Sequence, residues 1–306
     1  MDTQLPLDGA VALPHWGVIR ARGADALTFL QGQLTNDVLT LSASHVRLAG
    51  FCSAKGRLQA SFFLWKAAPD EVLLACSASV LAATLKRLSM FVLRAQCKLT
   101  DASGEVRLWG AVGPTAMRLA VDTAPWAYVD KALGTAFRLH DAAGVARCMV
   151  VPAEEAPAVP ALPLDAWRLL EVRSGIPIIE AATVDQFVPQ MLNFEVVGGV
   201  DFRKGCYPGQ EVVARSQYRG TIKRRMFLFD CAAAAQAGQE VFHSADPAQP
   251  AGMVVNAAAF QQGSSLLAEI KIAALSSGTL HLGSAEGAVL CQQELPYALS
   301  SELAEV

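Results

Sequence analysis

A thiol, a lysine, two glycines and a carboxylate lie within eight consecutive residues, 204–211 (KGCYPGQE). Pro208 and Gly209 interrupt regular structure, and the residues after them suit a helix, whose first position accepts proline because no N–H is needed there. Cys206 would then precede a helix N-terminus, with Lys204 two residues away. Free backbone N–H groups and a nearby cation both favour a thiolate over a thiol. The segment therefore predicts a reactive cysteine.

A structural role for the same residues is the alternative. A lone cysteine is commonly a small buried hydrophobe. Gly205 and Gly209 favour the functional interpretation, since glycine is needed where the backbone approaches a ligand closely or adopts a positive φ. Glu211 would lie in the first helical turn, where the helix dipole favours a carboxylate. A direct role for Glu211 stays equally open.

Basic residues are concentrated around this motif. Between Phe202 and Arg225 the only acidic residue is Glu211, whereas seven residues are basic: Arg203, Lys204, Arg215, Arg219, Lys223, Arg224 and Arg225. These charges form either a solvated face balanced by acids elsewhere or an anion site for a carboxylate, a phosphate or RNA. RNA-binding modules usually combine basic residues with aromatic ones, and only Tyr207 and Tyr218 serve here. An RNA-binding adaptor is therefore an alternative function.

Composition narrows the class of protein. The chain has 306 residues, 53% hydrophobic and 17% charged, with a net charge of −3, so bulk charge gives no nucleic-acid signal. This length suffices for two or three subdomains with cores of their own. No run of about 18 uncharged apolar residues occurs, and residues 1–14 lack the basic start of a secretory signal. We expect a cytoplasmic protein with no membrane or DNA partner.

The cysteines and histidines do not have metal-site spacing. The five histidines include no H-x-x-x-H pair, and the seven cysteines, which include no C-x-x-C pair, are Cys52, Cys76, Cys97, Cys148, Cys206, Cys231 and Cys291. This spread argues against a disulfide framework and against a local zinc or iron–sulfur site. We expect no permanently bound metal.

The elements that must position the motif mix strands and helices without strict βαβ order, which is typical of an α+β fold. Apolar periodicity predicts strands at 16–21, 46–52, 58–64, 72–76, 91–99, 105–111, 137–140 and 146–151, and helices at 24–34, 79–90 and 114–119. A further helix is expected to be capped by Asp165 and ended by Gly175.

The second half of the chain has a different pattern of predicted elements. Four prolines in 152–163 predict an exposed connector, and prolines keep much of 176–205 irregular. A helix is expected over 210–217. After residue 220, short strands at 226–229, 252–256, 266–273, 279–282 and 288–292 are typical of a small β-barrel. The expected domains are thus 1–220 and 221–306.

The motif 204–211 resembles the K-G-C-aromatic-x-G-Q-E hallmark of the YgfZ-type family, folate-binding iron–sulfur maturation proteins related to the glycine cleavage T-protein. Further segments resemble that family in the same order, with the resemblance running from about residue 20 to 225: 30–37 (LQGQLTND), 52–57 (CSAKGR), 173–177 (RSGIP) and 187–193 (FVPQMLN). The resemblance implies two ferredoxin-like α+β subdomains that exchange segments, followed by a C-terminal β-barrel.

The same resemblance implies a function. The expected cofactor is tetrahydrofolate or a one-carbon derivative, and the expected role is assembly or repair of iron–sulfur clusters. The expected partners are client enzymes, including one that methylthiolates tRNA, or cluster carriers, and tRNA itself is a weaker candidate. Cys206 would be the functional thiol, with Lys204 lowering its pKa or fixing an anion. The supporting motif residues would be Gly205, Tyr207, Gly209, Gln210, Glu211 and Arg215.

Folate contacts are expected between the N-terminal subdomains. Gln190 and Asn193 are candidates for the pterin ring, since side-chain amides can bond its edge. Lys55 or Arg57 would meet the glutamate tail. Each of these four side chains could equally serve in loop packing or lie on the surface.

Aminomethyl transfer, the T-protein reaction, is the alternative enzyme activity. In T-proteins an acidic pair follows the equivalent glycine, whereas Leu58 and Gln59 stand here, so no carboxylate is expected at that place. T-proteins also carry a glutamate after a proline that contacts the pterin, whereas Gln190 follows Pro189. These departures argue against the transferase. A scaffold that docks client proteins is a third class that the sequence leaves open.

Overall fold

The computed structural model describes residues 7–120, 124–131, 134–153, 156, 158–218 and 222–299. Its strands are β1 Gly9–Ala12, β2 Trp16–Arg22, β3 Arg47–Cys52, β4 Leu58–Ala68, β5 Glu71–Ser77, β6 Lys98–Asp101, β7 Trp109–Val112, β8 Tyr128–Lys131, β9 Gly134–Arg138, β10 Arg147–Pro152, β11 Arg224–Cys231, β12 Glu240–His243, β13 Asp246–Phe260, β14 Gly263–Lys271, β15 Leu280–Leu282 and β16 Leu290–Gln293. Its helices are α1 Ala26–Gln31, α2 Ala78–Val92, α3 Gly113–Ala120, α4 Leu164–Arg173 and α5 Gln210–Tyr218. Short 3-10 turns occupy Ala181–Thr183, Pro189–Leu192 and Ile272–Leu275.

These strands form three antiparallel sheets. The first sheet has the order β3-β4-β5-β2-β6, the second β1-β7-β10-β9-β8, and the third β15-β12-β13-β14-β11-β16. Helices α1 and α2 pack on the first sheet and α3 on the second. The α+β class with a C-terminal all-β unit is therefore confirmed.

The first two α+β units exchange a segment. Strand β1 comes first in the chain, yet it pairs with β7 of the second sheet, Gly9 lying opposite Val112. The end of the connector lies against the same strand, since Ala10 N–H donates to Pro160 O at 2.8 Å and Leu162 N–H donates to Ala10 O at 2.9 Å. Residues 154, 155 and 157 of the connector lie outside the described residues.

One hydrophobic core joins all three sheets. It contains Phe63 of the first sheet, Phe137 of the second, Leu228 of the third, and Trp167 of α4, which is fully buried. Helix α4 contacts β1 and β7 on one side and β13 and β14 on the other. The junction of the three units is therefore where a shared pocket can form.

Several predicted elements differ from the structure. Residues 91–99 are not a strand, because α2 continues to Val92 and only Lys98–Asp101 joins the first sheet. The exposed Phe91 and Leu93 supplied the misleading apolar pattern. Helix α1 ends at Gln31, and Leu34 is buried through a bridge to Phe51 instead.

The start of one helix was also predicted wrongly, and one strand was not predicted. Asp165 is not the cap of α4, since Pro163 occupies that position and Asp165 lies in the first turn. Strand β12 has no sequence-based prediction. The strands predicted at 58–64 and 72–76 form the hairpin of β4 and β5, and those predicted at 137–140 and 146–151 pair as β9 and β10.

Candidate functional site

The motif 204–211 holds Cys206 at the surface between two buried neighbours. Lys204 is 9% exposed, and its Nζ donates to the carbonyls of Gln31 and Leu34, the latter at 2.7 Å. The ammonium also lies 5.1 Å from the ring centre of the buried Tyr207. Cys206 itself is exposed. The thiol therefore projects from a loop that is anchored on both sides.

Lys204 takes a position that the sequence did not predict. Its ammonium meets the carbonyls at the end of α1, where the helix dipole favours a cation. Burial lowers the pKa of Lys204 to about 8, opposed by the negative charges of Asp37, Asp201 and a Cys206 thiolate. The side chain thus fixes the motif to α1 while remaining close enough to Cys206 to interact electrostatically.

Exposure separates Cys206 from most other cysteines. Cys291, on the edge strand β16, is also exposed. The remaining five cysteines are buried, and burial raises the pKa of Cys52, Cys76 and Cys148 to about 12. Buried, protonated thiols of this kind are inert.

The loop carrying Cys206 packs on the loop 53–56. Gly209 has φ +78°, and a Cβ there would meet Ser53 O and lie 2.6 Å from Gly56 Cα. A Cβ on Gly205, by contrast, would have no heavy atom within 4 Å. The two glycines therefore differ: Gly209 is required for packing, whereas Gly205 leaves open space beside the thiol.

Helix α5 begins at the predicted residue, but proline does not occupy its first position. It starts at Gln210, so Pro208 lies two residues before it and not at its first position. The reason is Gly209, whose left-handed φ interrupts the chain between Pro208 and the helix. Gln210 Nε2 donates to Gly205 O at 3.5 Å, while Glu211 and Arg215 are exposed on the first and later turns.

The basic run does not act as one surface. Arg224 pairs with Glu269 and Arg225 with Glu195, both of these acids being buried or nearly so. Lys204 is buried as described above. Three cations of the run are exposed, namely Arg203, Arg215 and Lys223, and Arg219 lies outside the described residues.

Gln190 and Asn193 are both 0% exposed and connect segments of the protein. Gln190 Nε2 donates to Val213 O of α5 at 2.8 Å, and Asn193 Nδ2 donates to Met226 O of β11 at 2.7 Å. Their side-chain oxygens are buried without a hydrogen-bond partner among the described residues. Both amides therefore use N–H donors for folding and leave their side-chain oxygens free for a ligand.

Lys55 and Arg57 lie on the loop beneath the motif. Lys55 is exposed. Arg57 Nη1 donates to the carbonyls of Gln186 and Asp185, the latter at 3.4 Å, so it fastens this loop to the segment before the second 3-10 turn.

A carboxylate from a distant segment lies beside Gln59. Gln59 Nε2 donates to Asp185 Oδ2 at 3.4 Å, and Asp185 Oδ1 is buried without a partner among the described residues. Asp185 has φ +61°, which turns the chain at this point. Leu58 and Gln59 themselves carry no acid, and the nearby carboxylate belongs to a segment more than a hundred residues away.

A cavity of about 460 Å³ lies where the first sheet, α4 and the third sheet meet. Its wall includes His15, Arg168, Glu171, Glu180 and Asn256. Such a volume falls within the range of small-molecule sites. No local sequence pattern indicates this cavity, because its wall comes from segments that are far apart in the chain.

A separate small pocket of about 10 Å³ beside this cavity shares Glu171, Ile176 and Ile178 with it and is also lined by Trp16, Phe63 and Arg147. The rings of Trp16 and Phe63 are stacked with centroids 5.3 Å apart. Glu171 accepts a hydrogen bond from Trp16 Nε1 at 2.7 Å and lies 2.9 Å from His15 Nε2.

Arg147 is the most unusual residue of this wall. It is 1% exposed, and its Nε donates to His140 O at 3.2 Å. Within the described part of the chain its two Nη nitrogens have no hydrogen-bond partner and no carboxylate within 4 Å. Burial lowers the pKa of Arg147 to about 10, although Glu171 opposes the effect. A buried guanidinium with free donors is suited to a ligand oxygen.

No group of three or more His, Cys, Asp and Glu side chains capable of holding a metal occurs among the described residues. No helix in the described part of the chain is long and apolar enough to cross a membrane.

Comparison with known proteins gives relatives along most of the chain. No family model matches. The tRNA-modifying protein YgfZ of Edwardsiella ictaluri is 34% identical over 241 residues, which cover 73% of this chain and 71% of that protein. The tRNA-modifying protein YgfZ of Colwellia psychrerythraea is 28% identical over 317 residues, 98% and 96% of the two chains. Among solved structures, the glycine cleavage system aminomethyltransferase T from Bartonella henselae has a similar fold, with a TM-score of 0.74 over 96% of this chain and 87% of that one, at 15% identity.

Proposed function

The chain belongs to the YgfZ family, and from that premise we propose that it supports tRNA modification through the exposed thiol of Cys206. The proposed cofactor is of the tetrahydrofolate class. The observation that carries the proposal is the exposure of the Cys206 side chain, although Lys204 and Tyr207 on either side of it are buried.

The proposed substrate of the thiol is an iron–sulfur cluster of a client enzyme, including one that methylthiolates tRNA. Cys206 supplies one ligand, and clusters are held by four. It therefore acts as an exchanging ligand: its thiolate replaces one ligand on an iron while the thiol proton goes to water, and the client's own ligand later displaces the thiolate, which takes a proton back from water. The open space beside Gly205 gives a client access to the thiol.

The anchors of the motif have a positioning role in this proposal. Lys204 ties the loop to α1, and Gly209 lets it pack on the loop 53–56. Since both contacts are to backbone atoms, the loop holds one conformation before a client arrives. A thiol that is already positioned does not have to be ordered on binding, which lowers the cost of association.

The proposed tetrahydrofolate site is the cavity of about 460 Å³, which lies next to the pocket of about 10 Å³ that Arg147 lines. Arg147 has free donors for a ring carbonyl or a carboxylate, and Glu171 lies on the same wall for the N–H groups of a pterin. Trp16 and Phe63 add aromatic surface. When bound, this group carries a one-carbon unit. Gln190 and Asn193 would contribute their side-chain oxygens alone.

Aminomethyl transfer is a second candidate because of one observation. Asp185 places a carboxylate beside Gln59, so a group able to bind a folate nitrogen exists near Arg57. The carboxylate comes from a different segment than the T-protein pair, and its Oδ2 already accepts from Gln59. The maturation role remains the function we propose.

The thiol is tested by complementation of a bacterium that lacks its own family member. Cys206→Ser should abolish the recovery of methylthiolated tRNA, measured by mass spectrometry of tRNA digests, because serine does not replace a thiolate as an iron ligand. Cys291→Ser is the matched control, since it removes the other exposed thiol and should rescue fully.

Both variants should keep the wild-type melting temperature, since neither side chain is buried. Equal rescue by Cys206→Ser and wild type, with both proteins folded, would contradict the proposed role of the thiol and leave a client-docking scaffold.

A further inference from the structure

We propose that the surface around Cys206 is a docking site for tRNA, with Tyr218 as a platform on which an unpaired base stacks. This inference rests on the proposed function, since it names the partner that would bind beside the thiol. The surface, which we name the thiol face, surrounds Cys206 and consists of Lys55, Phe202, Arg203, Arg215 and Tyr218.

Contacts at both ends of α5 bring these residues together. At the first turn, a Cβ added to Gly56 would lie 2.8 Å from Val212 Cβ and 3.1 Å from Gly209 O. The loop carrying Lys55 therefore lies against the start of the helix. At the last turn, the rings of Phe202 and Tyr218 meet edge to face at 5.8 Å. The chain from Phe202 to Gly209 therefore runs alongside α5, with Cys206 between the two contacts.

Tyr218 presents an aromatic ring to solvent. It is 70% exposed, and Phe202 supports it from one side. Proteins that bind single-stranded RNA or RNA loops stack bases on such exposed rings. Of the two tyrosines near the motif, Tyr207 is buried and unavailable for this contact.

The cations of the thiol face are free to meet phosphates. Lys55, Arg203 and Arg215 are exposed, and none makes an ion pair within the described residues. Arg203 also borders a depression of about 440 Å³ that contains Arg47 and Asp201.

Two acids accompany these cations. Asp201 Oδ1 accepts the Arg203 N–H at 2.8 Å, so this carboxylate is already engaged by the backbone. Glu211 is exposed in the first turn of α5. Arg224 and Arg225, which the sequence grouped with this face, are neutralised by Glu269 and Glu195 and take no part.

The combination of an exposed ring with unpaired cations favours RNA over a protein partner. A second exposed apolar cluster, Met90, Phe91 and Leu93 at the end of α2, is mainly aliphatic and lacks this pairing with the thiol. Transfer RNA offers both phosphates and the unpaired bases of its loops. Docking there would bring the RNA next to Cys206.

The first test is binding of fluorescently labelled, unfractionated tRNA to the full chain, followed by anisotropy at 50 mM salt. Tyr218→Ala should weaken binding roughly 5- to 150-fold, the range for loss of one stacked base. Tyr218→Phe should bind as wild type does, since the ring is retained. Phe91→Ala is the matched control, because it removes an exposed aromatic ring outside the thiol face, and should leave binding unchanged.

The second test is the salt dependence of the same binding. Arg203→Gln and Arg215→Gln should each reduce the slope of log affinity against log salt by about one, since each removes one phosphate contact. Lys86→Gln, an exposed cation on α2, should leave the slope unchanged.

Other outcomes would overturn the docking site. No tRNA binding at 50 mM salt would do so, as would full binding by Tyr218→Ala, or an equal loss for Lys86→Gln and Arg215→Gln. Cys206→Ser should bind tRNA as wild type does. A protein whose rescue depends on Cys206 but which does not bind tRNA would therefore refute the docking site while leaving the proposed function intact.

Discussion

At the scale of single residues, the exposed and the buried side chains of the motif have different roles. Cys206 faces solvent, whereas Lys204 is turned inward onto the end of α1. A lysine next to a thiol in sequence is usually considered an activator of that thiol. Here the main role of Lys204 is structural, since its ammonium donates hydrogen bonds to two backbone carbonyls. Its electrostatic effect on the Cys206 thiol is a second role.

Lys204 should make the stability of the protein depend on pH above neutrality. Its pKa is lowered to about 8 in the folded protein from the ordinary lysine value of 10.5, so the unfolded chain holds the proton more tightly. Between pH 8 and 10.5 the unfolded state then binds more protons, and the free energy of unfolding rises with pH. The free-energy cost of burying the charged amine lowers the stability of the folded protein fully below pH 8, and it disappears above pH 10.5.

The measurement is urea unfolding at half-unit intervals from pH 7 to 10.5. The difference in unfolding free energy between wild type and Lys204→Met should grow with pH by at most about 3 kcal/mol, because the variant lacks this titration. A difference that stays constant over this range would contradict the burial of the charged amine.

At the scale of elements, two loops and one helix set the position of the thiol. The loop 53–56 supports the turn at Gly209, and α5 begins only after that turn. Helix α5 is in turn fixed by Gln190, whose amide donates to Val213 O. The residues expected to bind folate are thus part of the support of the motif.

Gly209→Ala should destabilise this arrangement. A Cβ would clash with backbone at Ser53 and Gly56, and φ +78° strains any other residue. We expect a loss of roughly 2–4 kcal/mol in unfolding free energy, measured by chemical denaturation. Gly205→Ala is the matched control and should change stability by less than about 0.5 kcal/mol, because its Cβ would meet open space. Equal losses for both variants would contradict this packing.

At the scale of the whole molecule, the three units meet around a cavity and a small pocket beside it, and no single unit forms either of them. Arg147 comes from the second sheet, Trp16 and Phe63 from the first, and Glu171 from α4. Arg147 also lies 5.6 Å from the ring of Trp167. A buried guanidinium without an ion pair is costly for folding, so its presence at this junction is better explained by a ligand than by stability.

Arg147→Met should therefore separate binding from stability. Its melting temperature should equal or exceed that of wild type, because an apolar side chain replaces an unpaired buried charge. Its affinity for tetrahydrofolate, measured by calorimetry, should fall about 10- to 100-fold with the loss of a charged hydrogen bond. Lys55→Ala should bind as wild type does. Unchanged affinity in Arg147→Met would place the cofactor elsewhere.

Local patterns in the sequence were enough for the fold class and the reactive segment. The hairpin of β4 and β5, the strands of the third sheet around 266–271, and the irregular stretch after Gly175 follow from apolar alternation, glycine and proline. The motif 204–211 marked Cys206 because unlike chemical groups occur there at short spacing. Periodicity failed at 91–99, where exposed side chains imitate a strand.

Tertiary structure alone decided which of these residues work together. Lys204, Gln190 and Asn193 are buried and hydrogen-bond to backbone carbonyls of other segments. Arg224 and Arg225 form ion pairs with distant acids and so do not contribute to the exposed basic residues near Cys206. The pocket with Arg147 and the carboxylate of Asp185 beside Gln59 join segments more than a hundred residues apart. Sequence spacing reports neighbours along the chain, whereas charge pairing and burial depend on neighbours in space, which only the packing of the three units defines.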